Sequence, residues 1–160
     1  MGNIVYTRID DRLVHGQVMT AWVQVTKANE VLIVDDDVAK DTFLQMVMKS
    51  AMPNKVSLKV VTINEAKDYI ENQGKGKNIF ILVKTPLTVE RLHEQEVNIQ
   101  SLGVGGMGAR EDRMTLYRNI SASDEEKRAL IRLNELGVDV FFQVTPDNTK
   151  VRLSNVLKGA

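Results

Sequence analysis

The sequence predicts a single α/β domain: an open, mostly parallel twisted sheet with helices on both faces. Three observations carry this expectation. Apolar runs of strand length alternate with amphipathic helical stretches along the whole chain. Two of the runs, residues 31–34 and 79–83, are continuous rather than alternating, which marks strands covered on both faces. No internal repeat or low-complexity linker divides the 160 residues, so residues 1–160 are read as one domain.

Asn3-Ile4-Val5-Tyr6-Thr7 is β-branched enough to be the first strand. A charged turn over 8–14 follows, and Val14, Val18, Trp22 and Val25 recur at helical spacing to about residue 25. Strand 31–34 ends in Asp35-Asp36-Asp37. The helix beyond it gathers Phe43, Leu44, Val47, Met48 and Ala51 on one face and stops at Pro53-Asn54. Residues 56–61 form the next strand, and Thr62-Ile63-Asn64-Glu65 reads as a capping box opening a helix to about Asn72, with Gly74 as its stop. After strand 79–83, Thr85 is an N-cap and Pro86 the first helical residue of a helix to about Glu94. Residues 97–102 are expected as a fifth strand leading into a loop, Gly103-Val104-Gly105-Gly106-Met107-Gly108. A short strand over 114–118 precedes a second capping box, Ser123-Asp124-Glu125-Glu126. Ala129, Leu130, Leu133 and Leu136 make the apolar face of that helix, which Gly137 ends. Residues 138–144 are the last long strand, and 151–157 form a tail without a clear assignment.

Composition excludes several function classes. The 21 basic residues balance 21 acidic ones, so the chain lacks the electrostatic footprint of a nucleic-acid binder. Cysteine is absent, which removes disulfides, thiolate metal sites and cysteine nucleophiles. Only His15 and His93 are present, too few for a histidine-rich metal centre; no metal or cofactor is expected. No signal peptide is visible and no apolar run is of membrane-spanning length, which points to the cytoplasm.

The chemistry is expected in Arg8-Ile9-Asp10-Asp11-Arg12-Leu13-Val14-His15-Gly16-Gln17-Val18, at the carboxyl edge of the first strand, where open α/β sheets bind ligands. A helix start favours an anion, and Arg8 and Arg12 are planar, permanently charged donors suited to phosphate. Asp10 or Asp11 can accept a hydrogen bond from one nitrogen of His15, leaving the other free to attack phosphorus. Competing readings fail on particular residues. A receiver domain lacks its acceptor aspartate, because the later strands end in Val61-Thr62 and Val83-Lys84. A dinucleotide fingerprint would follow the first strand and open a helix, whereas these glycines do neither. The phosphohistidine mutases and phosphatases carry an Arg-His-Gly signature that Val14-His15-Gly16 does not match. His93 sits in a polar helical segment and reads as surface. On the residues alone, a phosphoryl-transfer enzyme and a non-catalytic phosphate- or nucleotide-binding module both remain open.

The motif from Arg8 to Val18 resembles the active-site signature of the IIB components of the mannose/fructose/sorbose class of bacterial phosphotransferase systems. The similarity continues through residues 31–37, Val83-Lys84-Thr85-Pro86, Val104-Gly105-Gly106-Met107 and 138–146. The resemblance implies that His15 accepts a phosphoryl group through Nδ1 from a phosphohistidine on a IIA protein. It also implies that His15 passes the group to a sugar carried by the IIC and IID membrane components, at the inner face of the membrane. On the same grounds Arg12 and the backbone around His15, with Gly16 and Gln17, hold the phosphate, and Asp10 orients the ring. Arg8, Lys84, Thr85, Gly105 and Gly106 are neighbours of that site. The IIA partner is expected as a separate chain. A homodimer is compatible with the sequence but not demanded by it. The sugar, whether mannose, fructose, sorbose, N-acetylgalactosamine or N-acetylglucosamine, is not encoded in these motifs.

Overall fold

In the computed structural model, which describes residues 1–158, β1 (Asn3–Asp10) runs up the middle of a seven-stranded sheet. The other strands are β2 (Glu30–Val34), β3 (Ser57–Val61), β4 (Asn78–Val83), β5 (Ser101–Gly106), β8 (Asp139–Phe142) and β9 (Val151–Arg152), in the order β3-β2-β4-β1-β5-β8-β9. All neighbours pair in parallel except β9, which runs antiparallel to β8 at the edge. A separate antiparallel hairpin joins β6 (Met114–Tyr117) to β7 (Ile120–Ala122).

α1 (Gly16–Thr26) and α2 (Thr42–Ser50) cover one face. α3 (Ile63–Asp68), α4 (Pro86–Glu94), α5 (Asp124–Glu135) and α6 (Leu153–Lys158) cover the other. The two continuous apolar runs are the strands the two cores share, and every residue from Val31 to Val34 and from Ile79 to Val83 is shut off from solvent. Both capping boxes form, Thr62 with Glu65 and Ser123 with Glu126. Asp35 and Asp36 are spent as backbone acceptors, from Asp37 and Val38 and from Ile63 respectively. The direction in which strands are added across the sheet reverses between the parallel strands β1 and β5. From β1 the chain leaves through α1 on one face, and after β5 it leaves through α5 on the other. The crevice this creates lies at their carboxyl ends.

Several elements differ from the sequence expectation. β1 extends to Asp10, so Arg8 and Asp10 are strand residues rather than loop. The fifth strand is Ser101–Gly106, and the expected glycine loop lies mostly inside it. The reason is steric: a Cβ at Gly103, Gly105 or Gly106 would collide with the side chain of Tyr6, Arg8 or Asp10, which lie across β5 from β1. Helix α1 buries Met19, Trp22 and Val23, while Val25 is 62% exposed. Of the face expected on α2 only Met48 is buried, and Phe43 is 73% exposed. Leu136 is likewise exposed just past α5. The hairpin partner β7 is an element the sequence pattern did not show.

Candidate active site at the β1–α1 turn

Asp10, the last residue of β1, is the hub. Its carboxylate accepts from the Arg12 backbone N–H (3.1 Å), from Arg12 Nε and NH2 (3.1 and 3.2 Å) and from His15 Nε2 (3.0 Å). Burial pushes its pKa up, but the hydrogen bonds from Arg12 and His15 outweigh burial and hold it below the usual aspartate value. The Asp10 side chain is 2% exposed, while those of His15 and Arg12 are 27% and 54% exposed. A buried anion therefore carries two cationic or polar groups that face outward.

The turn is built to present His15. Leu13 adopts φ +59°, a left-handed conformation costing a residue with a Cβ roughly 1–2 kcal/mol. Its side chain is nevertheless buried, and its N–H reaches the Asp10 carbonyl at 2.9 Å. Gly16, at φ +47°, then starts α1. His15 is the N-cap residue but makes no side-chain cap, so the ring turns back to Asp10 and the first amides of α1 lack a capping side chain. A carboxylate only accepts, so the tautomer that suits this contact has its proton on Nε2 and its lone pair on Nδ1.

The remaining sequence candidates divide sharply. Arg8 is fully buried, 5.0 Å over the Trp22 ring, and donates to the backbone carbonyls of Gln143 and Val144 at 2.8 Å each. Two of its five N–H donors are committed there and its nearest approach to Asp10 is 3.7 Å, so it supports the site from beneath. Gly105 and Gly106 are the strand residues on which Arg8 and Asp10 lie, not a loop closing over His15. Gly16 and Gln17 are exposed at the start of α1. Thr85 caps α4 and donates to Glu126 rather than to any member of the Asp10 cluster. Lys84 is half-buried at the end of β4, and His93 is half-buried in the last turn of α4, remote in sequence from this turn.

Two residues outside the motif enter the same edge. Arg113, 1% exposed at the side chain, donates to Glu126 through Nε and NH2 (2.8 Å each) and to Asp11 Oδ2 and the Gly108 carbonyl through NH1 (2.9 Å each). Glu126, itself buried, also accepts from the Ser123 N–H and the Thr85 hydroxyl. Sequence reading assigned Glu126 only to a capping box, and Arg113 lies in a charged loop that reads as solvated. A cavity of about 530 Å³ adjoins the turn, with Arg12, Gly106, Met107, Tyr117, Phe142 and Gln143 in its wall. Among the described residues no cluster of three metal-ligating side chains forms, and no helix is long and apolar enough to cross a membrane.

A mostly parallel open sheet with a carboxylate-held histidine at its switch point defines an α/β domain with a candidate ligand site there, and comparison with known proteins gives the family. Residues 4–160 match the family described as the PTS system sorbose subfamily IIB component, and the chain belongs to it. The crystal structure of the IIBSor domain of the sorbose permease from Klebsiella pneumoniae superposes with a TM-score of 0.93, at 31% identity over 99% of this chain and 98% of that one. The fructose-specific EIIB component of Bacillus subtilis is 29% identical over 99% of this chain and 98% of its own length. An N-acetylgalactosamine-specific IIB component of Escherichia coli is 32% identical over 94% and 96%. The mannose-specific EIIAB component of Escherichia coli is 30% identical over 94% of this chain, which spans 47% of that longer protein.

Proposed function

We propose that His15 carries the phosphoryl group in transit, taking it from a phosphohistidine on a IIA protein and giving it to a sugar delivered by IIC and IID membrane components at the cytoplasmic face. The observation that supports this most is the pairing of His15 Nε2 with buried Asp10, which leaves Nδ1 as the free nucleophile beside Arg12. In the first step the Nδ1 lone pair forms a bond to phosphorus while the donor's N–P bond breaks, its electron pair returning to the donor imidazole. The proton on Nε2 stays, and the Asp10 carboxylate balances the cationic ring that results. In this reading Arg12 and the first amides of α1 stabilise the charge that gathers on the equatorial oxygens. In the second step a sugar hydroxyl oxygen takes the phosphorus, the pair returns to Nδ1 and the hydroxyl proton is released.

The exposure of His15 suits a group that must arrive from one partner and leave with another. The relatives name sorbose, fructose, N-acetylgalactosamine and mannose at 29–32% identity, so similarity to this chain tracks the transfer component and not the sugar. Incubation with a phosphorylated IIA protein of this class tests the reading. Phosphorus NMR and intact mass should show one acid-labile, base-stable phosphoryl group with the shift of an Nδ1 adduct, absent in His15→Ala. Label retained by His15→Ala would show that another residue carries the group, and no label on the wild type would leave the phosphate-binding module as the better account.

A further inference from the structure

Resting on that reading, we infer that Arg113 is a positioning residue for the His15 turn, acting through Asp11. The turn needs an external anchor. Leu13 holds a left-handed backbone, and the Arg12–Asp10 pair joins the turn only to the end of its own strand, so it ties the turn to nothing beyond β1. Among the described residues, the polar ties from residues 11–14 to segments other than β1 and α1 all run through Asp11. Its N–H reaches the Gly106 carbonyl at 3.0 Å, and its Oδ2 accepts from the Gly108 N–H at 2.8 Å and from Arg113 NH1 at 2.9 Å.

Asp11 lies between the residue that orients His15 and the residue that faces the phosphate. Fixing it fixes the register of both. Arg113 is suited to that task because it cannot swing: the other edge of its guanidinium is forked on Glu126, which the Ser123 and Thr85 caps hold in turn. The clamp thus ties the turn after β1 to the N-termini of α4 and α5. It also gives Thr85 a place in the site that involves no contact with phosphate. Arg113 is too buried to touch a partner protein, which separates positioning from docking.

The test compares wild type, Arg113→Lys and Asp11→Asn in the full chain, with two phosphoryl donors: the phosphorylated IIA protein and the small molecule phosphoramidate. A displacement of about 1 Å at a reacting centre costs up to about a hundredfold in rate, so both variants should label His15 roughly ten- to a hundredfold more slowly with either donor. For Arg113→Lys the KM for phospho-IIA should stay at the wild-type value while kcat falls. Nitrogen-15 shifts of the unphosphorylated His15 ring should move from a single Nε2–H tautomer towards a mixture in both variants, a change that loss of global stability alone would not produce. Should Arg113→Lys fail to fold, Asp11→Asn, at a half-buried position, carries the same comparisons. Wild-type labelling rates and an unchanged tautomer in Asp11→Asn would overturn the clamp while leaving the role of His15 intact. An unlabelled wild type would overturn both.

Discussion

Two buried carboxylates sit at the same edge of this sheet, and they are put to opposite use. Asp10 and Glu126 are each about 2% exposed at the side chain, each is forked by an arginine, and each takes at least one backbone N–H. Glu126 is nearly closed: its hydrogen-bond partners are Arg113, Thr85 and Ser123, the forked arginine is as buried as the acid, and only the half-exposed Arg110 approaches from outside, at 3.6 Å. Asp10 is open: its partners Arg12 and His15 keep their outer surfaces in solvent. The same ion-pair chemistry locks three segments together in one place and holds out a histidine in the other. What differs is the depth of the partner, not the type of acid.

The comparison can be broken most severely at Asp10. Asp10→Asn removes the group that fixes the His15 tautomer, and phosphorylation by phospho-IIA should fall on the order of 10³- to 10⁴-fold, as for carboxylate-held histidines in hydrolase triads, measured as a labelling time course. Glu126→Gln should act mainly on stability, with a smaller loss of labelling rate through the Arg113 clamp. It leaves Arg113 buried without its main counter-charge, and urea denaturation should show a loss of about 3 kcal/mol or more.

Acid sharpens the same contrast. Burial raises the Glu126 pKa, but the Arg113 fork, the Ser123 amide and the Thr85 hydroxyl outweigh it and bring the carboxyl from 4.5 down to about 2. Because the folded value lies below the unfolded one, the stability this group contributes is whole above about pH 4.5 and is lost as pH falls towards 2. Denaturation midpoints between those pH values should decline more steeply in wild type than in Glu126→Gln. The smallest effect is expected at Tyr6, beneath Arg8 on the open side. Its hydroxyl is buried near the Arg8 guanidinium but without a well-formed hydrogen bond, and burial, only partly offset by Arg8, pushes its pKa up to about 12. Tyr6→Phe removes an unsatisfied group and should leave the melting temperature unchanged or slightly raised.

Local signals carried much of this architecture in the sequence. Strands 31–34 and 79–83 are apolar throughout because both faces are covered, and each capping box is a contact between residues three apart. A contact between His15 and an aspartate of its own turn was legible for the same reason, although the residues left Asp10 and Asp11 open and the Arg12 fork on Asp10 was not foreseen. Arg8 was legible as a cation but not as a buried one, because the carbonyls that hold it lie 135 and 136 residues away. Arg113 was hidden by its setting, Arg110-Glu111-Asp112-Arg113, which is ordinary solvated charge until Glu126 folds against it. β5 was displaced in the reading because glycines usually end strands. Here the room they leave is filled from β1, a relation between residues about a hundred positions apart that no local window contains.

That glycine row has a consequence for engineering. The Arg8-to-Val18 motif cannot be transplanted as a cassette into another α/β scaffold, however well its turn is copied. Tyr6, Arg8 and Asp10 need a neighbouring strand whose backbone is bare at the three places they overlie, and here Gly103, Gly105 and Gly106 supply it. A recipient strand with ordinary side chains would push Arg8 and Asp10 aside before any phosphate arrived. The smallest portable unit of this chemistry is therefore two strands, one bearing the functional groups and the other their mould.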